Sequence, residues 1–278
     1  MQGLNQLEDT SNKSGVYEKE PKTYYDDWFT NGKKTLMTLT PEGNRKWNED
    51  HKKEENEKFL KYIEKLKLDS LMDNRFKKCT FNNFYKTKEN EFYFNFGQLY
   101  SRNFEKYKAN NNGLLIYGKP GTGKSFLSFC IANYLLDNGV KVIACSISTI
   151  LEKIKEYSSF GNNKMTVFNN ELKKADLLII DDLGSENSSE WINSKIYEII
   201  DLRYRSEKPL IVTTNLEPDD LKKKLTNKDG ITRTYDRIFE ICRPIEMNIE
   251  SLRVIKGKEK QISFMNTLNE INKKTNHY

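Results

Sequence analysis

Residues 114–126 read LLIYGKPGTGKSF, and this stretch decides the fold. The first four residues are apolar and predict a short buried strand. The strand ends at Gly118, where the sequence as far as Ser125 matches the P-loop pattern G-x-x-x-x-G-K-[ST]. The glycines let successive backbone N–H groups face a polyphosphate, and the helix that begins at Lys124 directs its positive N-terminal end at the same charge. The stretch therefore predicts a nucleotide site at the end of a strand.

The P-loop and the residue after it are expected to contact the nucleotide. These residues are Gly118, Lys119, Pro120, Gly121, Thr122, Gly123, Lys124, Ser125 and Phe126. Lys124 should reach the β- and γ-phosphates. The hydroxyl of Ser125 is expected to take one ligand position of Mg²⁺. The alternative is a glycine-rich turn without a ligand, and the strand and helix that flank the loop count against it.

The composition suits one α/β domain and a smaller segment. The chain has 278 residues, of which only 36% are hydrophobic, but 12% are aromatic and supply large burial per residue. A domain of this class takes about 180–200 residues, so a smaller piece remains. The net charge of +6 is a mild bias toward nucleic acid or another polyanion.

The cysteines and the apolar runs exclude several classes of protein. Cys79, Cys130, Cys145 and Cys242 form no C-x-x-C pair, so the sequence predicts neither a zinc ribbon nor a disulfide framework. Cys130 and Cys145 lie in apolar runs and are expected in the core. No apolar run approaches the roughly 20 residues of a membrane span, and the N-terminus has no apolar signal core. We expect a soluble, cytoplasmic protein without a membrane partner.

Residues 1–74 are predicted to form an N-terminal partner-binding region, with a flexible arm and a helix. The arm contains an aromatic cluster, YYDDWF at residues 24–29, which suits docking to a partner; a small local fold that buries it is an equal alternative. A helical pattern begins at Pro41, and its apolar spacing is confined to the turns that contain Phe59, Ile63 and Leu66. That helix either lies solvated on the main domain or binds a partner.

Two later stretches resemble strands that are buried on both faces. Residues 177–181 (LLIID) and 209–215 (PLIVTTN) are apolar runs without alternation, which is typical of parallel sheets. Further strands are expected at residues 140–146 and 244–247, and helices at residues 92–107, 125–138, 149–157, 188–205, 218–225 and 231–241. This alternation predicts an α/β fold, a doubly wound and mostly parallel five-stranded sheet with flanking helices and ligands at the carboxyl ends of its strands.

Polar residues at the ends of these strands predict phosphoryl chemistry. Asp181 ends a buried apolar strand and fits a magnesium-binding carboxylate, whose charge is tolerated there when Mg²⁺ and Ser125 neutralise it. Asp182 would then orient or deprotonate the attacking water. Asn215, at the tip of the next buried strand, is placed to hydrogen-bond that water or the γ-phosphate. The alternative is that the two carboxylates are only a hydrophilic strand end.

Two arginines lie one helical turn apart in the sequence ITRTYDRIFEI. Arg233 and Arg237 therefore project from one face of a helix, while Ile238 and Ile241 face the core. An arginine that completes the site of a neighbouring subunit would have this position, but so would an ordinary surface arginine. Spacing alone leaves both interpretations open.

Six stretches together resemble a known family. They are FKKCTFNNF, YGKPGTGKS, LLIIDDLGSE, PLIVTTNL, TRTYDRIFEI and SLRVIKGKE, which lie between residues 75 and 260. In them the chain resembles the bacterial replicative-helicase loaders of the DnaC/DnaI type and their relatives, the IstB-like transposition ATPases, within the AAA+ class of P-loop NTPases. The resemblance implies an AAA+ ATPase domain at residues 75–262, followed by a polar C-terminal tail at 263–278.

The resemblance also implies a function and the roles of several residues. It implies an ATP- and Mg²⁺-dependent ATPase, which forms a self-oligomer through its ATP site, binds single-stranded DNA and helps place the replicative DnaB-type ring helicase on that strand. By position, Arg237 matches the family's arginine finger, Asn215 its sensor-1 residue and Arg253 its sensor-2 arginine. Glu186, just beyond the magnesium-binding strand, is an alternative or an assistant to Asp182.

A helical insertion of the family lines a DNA channel, and here it corresponds to residues 146–160. The candidate DNA contacts are Ser148, Thr149, Lys153, Lys155 and Phe160, through the DNA backbone or by stacking on a base. A plain solvated helix is the alternative. Phe81 and Phe84, before the main domain, are candidates for contact with a base, although aromatic residues at such spacing more often belong to a core.

The chain departs from the family pattern in two places. Many AAA+ members have Glu where Asp182 stands, and Asp reaches about 1.5 Å less far. Slow hydrolysis that is stimulated by assembly is the hypothesis that follows. Some loaders also carry an N-terminal cysteine cluster for zinc, and this sequence has no cysteine before Cys79. The N-terminal module is therefore expected to differ from that of those loaders, and helicase binding by residues 1–70 is what the resemblance implies.

Three other functions compete with helicase loading. A transposition ATPase would coat duplex DNA and recruit a transposase. A nucleotide-dependent DNA-binding adaptor would act with negligible hydrolysis. A metabolic P-loop kinase would need a small acceptor pocket and no Arg237, and the DDLGSE run argues against it.

Overall fold

The computed structural model describes residues 23–25, 36–38, 41–159, 162–226 and 230–275. The chain divides into two compact units, residues 1–59 and 60–278. The first contains a short antiparallel pair of strands, β1 (Thr23–Tyr25) and β2 (Leu36–Thr38), which the sequence did not predict. Tyr24 and Tyr25 of the predicted aromatic cluster lie in β1, and the rest of that cluster lies outside the described residues. The boundaries of the predicted domains stay predictions.

The helix predicted from Pro41 is present as α1 (Pro41–Asp69). The remaining helices, in chain order, are α2 (Glu91–Arg102), α3 (Phe104–Ala109), α4 (Lys124–Asp137), α5 (Ile147–Ser159), α6 (Asn162–Lys174), α7 (Glu190–Arg205), α8 (Pro218–Leu225), α9 (Arg233–Ile241) and α10 (Leu252–Thr275). The strands of the second unit are β3 (Gly113–Tyr117), β4 (Val142–Ser146), β5 (Leu177–Asp181), β6 (Leu210–Thr214) and β7 (Cys242–Glu246). Short 3₁₀ turns occur at Phe76–Lys78 and Phe81–Asn83.

The five strands of the second unit form one parallel sheet in the order β4-β5-β6-β3-β7. This confirms the predicted α/β fold, a doubly wound five-stranded sheet with flanking helices. β3 lies between β6 and β7, with Leu115 opposite Val212 on one side and Pro244 on the other. Pro244 is accommodated because β7 is an edge strand and its missing N–H removes no bond from the interior of the sheet. The carboxyl ends of β3, β5 and β6 therefore meet at one edge.

The sheet separates two hydrophobic cores, and successive residues of a strand alternate between them. In β5, Leu178 and Ile180 belong to the core that contains residues of α5 to α9, while Leu177 and Ile179 belong to the core that contains residues of α2 to α4. This burial on both faces explains why β5 and β6 are apolar throughout. The predicted core positions of Cys130 and Cys145 are confirmed, since these residues are 0% and 2% exposed.

One predicted helix was wrong in extent, and another ends where the sequence predicted. The helix predicted for residues 92–107 is interrupted at Asn103, which separates α2 from α3. α4, predicted for residues 125–138, is buried almost all round because it lies between the sheet and α2. Its predicted end is confirmed, because Gly139 adopts a left-handed φ of 77° directly after the helix.

Two helical regions were not predicted. α6 has few apolar residues, and Phe168 and Leu172 alone among them are buried in the core. The predicted polar tail at residues 263–278 begins inside α10, which continues to Thr275. No helix among the described residues is long and apolar enough to cross a membrane.

A fully buried arginine connects three elements at the amino-terminal side of the sheet. Arg203 of α7 is 0% exposed. Its Nη1 donates to the carbonyls of Leu172 and Ala175, each at 2.9 Å, at and just beyond the end of α6, and its Nη2 donates to the carbonyl of Pro209 at 2.7 Å, just before β6. Burial lowers the pKa of the guanidinium to about 10, so it remains charged at neutral pH.

Candidate nucleotide-binding site

The predicted P-loop connects β3 to α4 and depends on three glycines with positive φ. Gly118, Gly121 and Gly123 have φ values of 137°, 88° and 102°. A Cβ at Gly118 would lie 2.6 Å from the carbonyl oxygen of Met247, and one at Gly121 would collide with the side chain of Ser251. The loop therefore requires glycine both for its backbone conformation and for its close contact with the chain after β7.

Lys124 lies at the first turn of α4 and is only 6% exposed. Its ammonium group donates to the carbonyl of Gly118 at 2.7 Å and to that of Lys119 at 2.8 Å. Burial lowers the pKa of Lys124 to about 8, against the opposing effect of Asp182 and Asp181 nearby. The cation thus lies within the concave side of the loop, where it can meet a phosphate group.

Asp181 and Ser125 lie side by side, as predicted for a pair of magnesium ligands. Asp181 ends β5, is 4% exposed, and accepts a hydrogen bond from the hydroxyl of Thr213 at 2.6 Å. It also forms a hydrogen bond with the side chain of Ser125. Burial raises the pKa of the Asp181 carboxyl, and both hydrogen bonds oppose that shift. A carboxylate and a hydroxyl suit Mg²⁺, which prefers oxygen ligands and usually binds through one or two carboxylates and substrate phosphates.

Asp182 has a strained backbone that its neighbours hold in place. Its φ is +59°, which is uncommon for a residue other than glycine and better tolerated by Asp than by most. Its backbone N–H donates to the hydroxyl of Thr213 at 2.9 Å, and the side-chain amide of Asn215 donates to its carboxylate at 2.8 Å. Such strain is often stored at functional sites.

The hydroxyl of Thr213 therefore contacts both acidic residues at once. It is 1% exposed, donates to the carboxylate of Asp181 and accepts from the backbone of Asp182. Sequence reasoning missed Thr213, although it directly precedes Thr214 and Asn215 at the tip of a buried strand. The sequence feature that could have indicated Thr213 is a hydroxyl residue at the end of an otherwise apolar run.

Replacing Thr213 by Val should lower magnesium-dependent ATP turnover about 10- to 100-fold, since a buried polar group left unpaired costs about 1–3 kcal/mol. The side chain keeps its shape but no longer orients Asp181 or Asp182. Thr213→Ser, which retains the hydroxyl, should stay within about threefold of the wild type. Steady-state ATP hydrolysis over a range of Mg²⁺ concentrations measures the effect. Wild-type turnover by the Val variant would show that the hydroxyl of Thr213 has no role in the site.

These residues line a cleft of about 490 Å³. The lining includes most of the predicted catalytic set, namely Lys124, Asp181, Asp182, Asn215 and Arg253, together with Ser125. The structure thus places side chains from α4, β5, the end of β6 and α10 around one space. That arrangement fits a bound polyphosphate with a cation beside it.

The cleft has a second, largely apolar lining that the sequence analysis missed in part. It comes from the segment before α2 and from α4, and it consists of Arg75, Phe76, Cys79, Phe84, Tyr85 and Phe126. Of the two phenylalanines proposed to contact a base, Phe84 lines the cleft, whereas Phe81 packs against Phe94 and Tyr134. An aromatic wall of this kind suits a planar ring system.

The segment before α2 is fixed to α4 by the side chain of Asn133 and by a stacked pair of rings. Asn133 is 5% exposed, and its amide donates to the carbonyl of Phe76 at 2.9 Å and to that of Cys79 at 2.7 Å. The ring of Phe76 also stacks on that of Phe129 of α4, with centroids 3.9 Å apart. The apolar wall is therefore built on the same helix that begins at the P-loop.

α10 contributes to the cleft through its first turn. The backbone N–H of Leu252 donates to the carbonyl of Gly121 at 2.9 Å. Arg253 follows directly, lines the cleft and has an exposed side chain. The hydroxyl of Tyr85 donates to the carboxylate of Glu259 at 3.0 Å, which connects the next turns of α10 to the apolar wall.

Arg237 and Glu186 do not line this cleft. Arg237 lies on α9 and forms an ion pair with Asp201 of α7. Glu186 accepts a hydrogen bond from the backbone of Gly184 at 2.9 Å, and its carbonyl accepts from Lys224 at 2.8 Å. Glu186 therefore stabilises its own turn, and of these two acidic residues Asp182 is the one that lines the cleft. Whether Glu186 replaces or assists Asp182 stays a prediction.

Four of the predicted DNA contacts lie on α5, which begins directly after the cleft-lining residue Ser146 at the end of β4. Ser148 and Lys155 are exposed. Thr149 shares a hydrogen bond with Ser146 at 2.9 Å between hydroxyls, and the ammonium of Lys153 lies 5.7 Å from the ring centroid of Tyr157. Phe160 lies outside the described residues. The DNA-binding role of these residues stays a prediction.

Comparison with known proteins identifies one matching family model. The model described as IstB-like ATP binding protein matches residues 60–261. The matched region contains all of the sheet, the P-loop and the residues that line the cleft.

Curated relatives are named as helicase loaders. The chain is 30% identical over 185 residues to the replicative helicase loader DnaC of Buchnera aphidicola subsp. Baizongia pistaciae, a match that covers 63% of this chain and 73% of the relative. It is 31% identical over 122 residues to the replicative helicase loader DnaC of Escherichia coli K12, which covers 44% of this chain. The second match spans only 49% of the length of that relative.

A solved structure supports the fold. The crystal structure of the DnaC helicase loader is similar to this chain with a TM-score of 0.54 and 23% identity, over 63% of this chain and 99% of the other. At this identity the likeness concerns the fold, and it agrees with the parallel sheet and P-loop described above.

Proposed function

This chain belongs to the family of IstB-like ATP binding proteins, and we propose that it is an ATP-dependent loader that places a replicative DnaB-type ring helicase on single-stranded DNA. One observation carries the proposal: Lys124, Ser125, Asp181, Asp182 and Asn215 line a single cleft at the carboxyl ends of parallel strands. The proposed action on a helicase is supported by the names of two relatives, which are replicative helicase loaders.

In this proposal the P-loop binds the triphosphate of ATP. Backbone N–H groups of the loop between Gly118 and Ser125, where Pro120 alone has none, surround the phosphates. The ammonium of Lys124 exchanges its two carbonyl partners for phosphate oxygens. Ser125 and Asp181 would hold Mg²⁺, which neutralises charge on the β- and γ-phosphates when bound. The aromatic wall with Phe84 and Phe126 receives the base.

Hydrolysis is assigned to Asp182 and Asn215. The carboxylate of Asp182 accepts the proton of the attacking water or orients it, and Asn215 fixes that carboxylate by donating to it. The Asp side chain is about one C–C bond, roughly 1.5 Å, shorter than Glu. We therefore propose slow turnover that assembly accelerates, as suits a switch rather than a motor.

Assembly is required because Arg237 is outside the cleft of its own chain. Arg253 lines that cleft, whereas Arg237 lies on α9 beside α7. An arginine that stabilises transition-state charge must touch the γ-phosphate. Arg237 therefore acts on the nucleotide of a second copy of this chain, and each ATP site is completed between two subunits. α5, with Ser148, Thr149, Lys153 and Lys155, faces the DNA in such an oligomer.

The test is ATP-dependent oligomerisation on single-stranded DNA. Wild-type protein should assemble when ATP, Mg²⁺ and single-stranded DNA are all present, and it should then hydrolyse ATP faster. Arg237→Ala should bind ATP with unchanged affinity but lose about 10³-fold in stimulated turnover, the lower end of the effect of an arginine finger. Light scattering and steady-state ATPase assays measure both.

The outcome that would contradict the proposal is an Arg237→Ala variant that keeps the stimulated rate. A matched control is Arg233→Ala, which removes an exposed arginine one turn away on the same helix. Co-purification with a ring helicase addresses the helicase part, and binding to that helicase by the full chain is the expected result.

A transposition ATPase is the second candidate, because the matching family model is named for IstB. It would prefer duplex over single-stranded DNA and bind a transposase. A DNA-binding adaptor with negligible hydrolysis would assemble equally well when Asp182 is replaced by Asn. The same assays distinguish both from a loader.

A further inference from the structure

We propose that Asp201, with Tyr197 and Tyr204, forms a clamp that positions Arg237 for the nucleotide of a second copy of this chain. This inference rests on the proposed function, in which Arg237 acts between subunits. It assigns a role to three residues of α7 that lie outside the nucleotide cleft.

The clamp holds the guanidinium of Arg237 by charge and by aromatic contact. Nη1 of Arg237 forms an ion pair with the carboxylate of Asp201. The guanidinium carbon lies 4.9 Å from the ring centroid of Tyr197 and 5.2 Å from that of Tyr204, within the range of a cation–π contact. The three clamp residues come from α7 and Arg237 from α9, two helices that pack closely on each other.

The contact is partly shielded from water but not closed. The side chain of Arg237 is 21% exposed and that of Asp201 is 15% exposed. An arginine side chain has high rotamer entropy, so a free one would have to be ordered when it meets a phosphate. Here that ordering is complete before any partner arrives. The guanidinium has five N–H donors. Because only one of its nitrogens pairs with the carboxylate of Asp201, the remaining N–H groups can bind a phosphate.

The charges of the clamp favour positioning over sequestration. The second carboxylate oxygen of Asp201 pairs with Nε of Arg205 at 2.8 Å. One carboxylate is therefore shared by two arginines, and the three charged groups together carry a net positive charge. The field at this surface remains attractive to a triphosphate although Arg237 has an acidic partner.

The test mixes chains that are each inactive alone. An Arg237→Ala chain keeps an intact cleft but supplies no arginine, and a Lys124→Ala chain supplies Arg237 but has a disabled cleft. In an equal mixture about a quarter of head-to-tail junctions pair a working cleft with a working arginine, so about a quarter of the wild-type stimulated rate should return.

The arginine donor is then changed at the clamp. A Lys124→Ala, Asp201→Ala donor should restore about tenfold less turnover than the Lys124→Ala donor, because its arginine is present but misplaced. The loss should fall on kcat of the receiving cleft and leave its KM for ATP unchanged. Asp201→Asn, which keeps the shape and removes the charge, should behave in the same direction and guards against an unfolded donor. Each mixture is also measured for assembly on single-stranded DNA, which should persist.

The matched control removes a different carboxylate from the same helix. Glu198 is exposed on α7 and pairs with Lys195 three residues away at 2.8 Å. A Lys124→Ala, Glu198→Ala donor should restore as much activity as Lys124→Ala alone.

The outcomes separate this inference from the proposed function. If the Asp201 donors restore activity as fully as Lys124→Ala, the clamp is wrong while the action of Arg237 between subunits stands. If they restore more, Asp201 sequesters the arginine and the positioning role is wrong. If no donor restores activity, Arg237 does not act between subunits, and both proposals fall.

Discussion

Replacing Lys124 by Ala should abolish most ATP binding and turnover, and this is the largest functional effect that we expect. The ammonium of Lys124 is the buried cation of the P-loop, held by two loop carbonyls in the position where the phosphates would lie. Loss of a charge-assisted hydrogen bond costs about 1.5–3 kcal/mol, or about 10- to 100-fold in affinity. Loss of transition-state stabilisation adds about 10²–10³-fold in kcat.

Titration with a fluorescent ATP analogue and single-turnover hydrolysis measure the two parts separately. Lys106→Ala is a suitable control because Lys106 is an exposed lysine on α3. It should leave both quantities unchanged. A Lys124→Ala chain that binds ATP as well as the wild type would show that the loop holds no triphosphate.

Replacing Arg203 by Ala should have the largest effect on stability, a loss of about 3–5 kcal/mol in the free energy of unfolding, as is typical when a buried charged network is broken. The side chain is 0% exposed and donates to the carbonyls of Leu172, Ala175 and Pro209. Without the guanidinium these carbonyls lose their partner in a dry interior, and a cavity replaces the side chain. The end of α6, α7 and the start of β6 would separate first.

Urea denaturation followed by circular dichroism measures this effect. Arg203→Lys keeps a charge but lacks the planar fork that reaches several carbonyls, so it should lose about half as much stability. Arg205→Ala is the surface comparison, since the Arg205 side chain is 72% exposed, and it should change stability by less than about 1 kcal/mol. Equal stability of the Ala and wild-type chains would contradict the structural role of Arg203.

The sheet and the phosphate side of the cleft could be predicted from the sequence, because both depend on patterns of residues that are close together in the chain. The P-loop is contiguous, and β5 and β6 are apolar runs that end in Asp181 and Asn215. Parallel strands bring their carboxyl ends to one edge, so the side chains that follow them converge without any further information. The structure agrees with that reasoning for each of these residues.

The features that the sequence could not predict depend on contacts between residues that are far apart in the chain. Part of the apolar wall of the cleft comes from Phe76 and Tyr85, whose sequence gives no sign that they contact a cleft. α6 was missed because only Phe168 and Leu172 among its apolar side chains are buried, and the rest of the helix is polar. The ion pair of Asp201 with Arg237 joins residues on different helices, which spacing in the sequence cannot reveal.

The hydrogen bonds of Asn133 have a consequence for which nucleotides fit. Because its amide joins the segment at Phe76 and Cys79 to the helix that starts at Lys124, the distance between the two linings of the cleft is preset. A smaller heterocycle would leave a void there, since the wall cannot follow it inward without breaking the two hydrogen bonds of Asn133 to this segment. Stiffness of the scaffold would then contribute to purine selectivity.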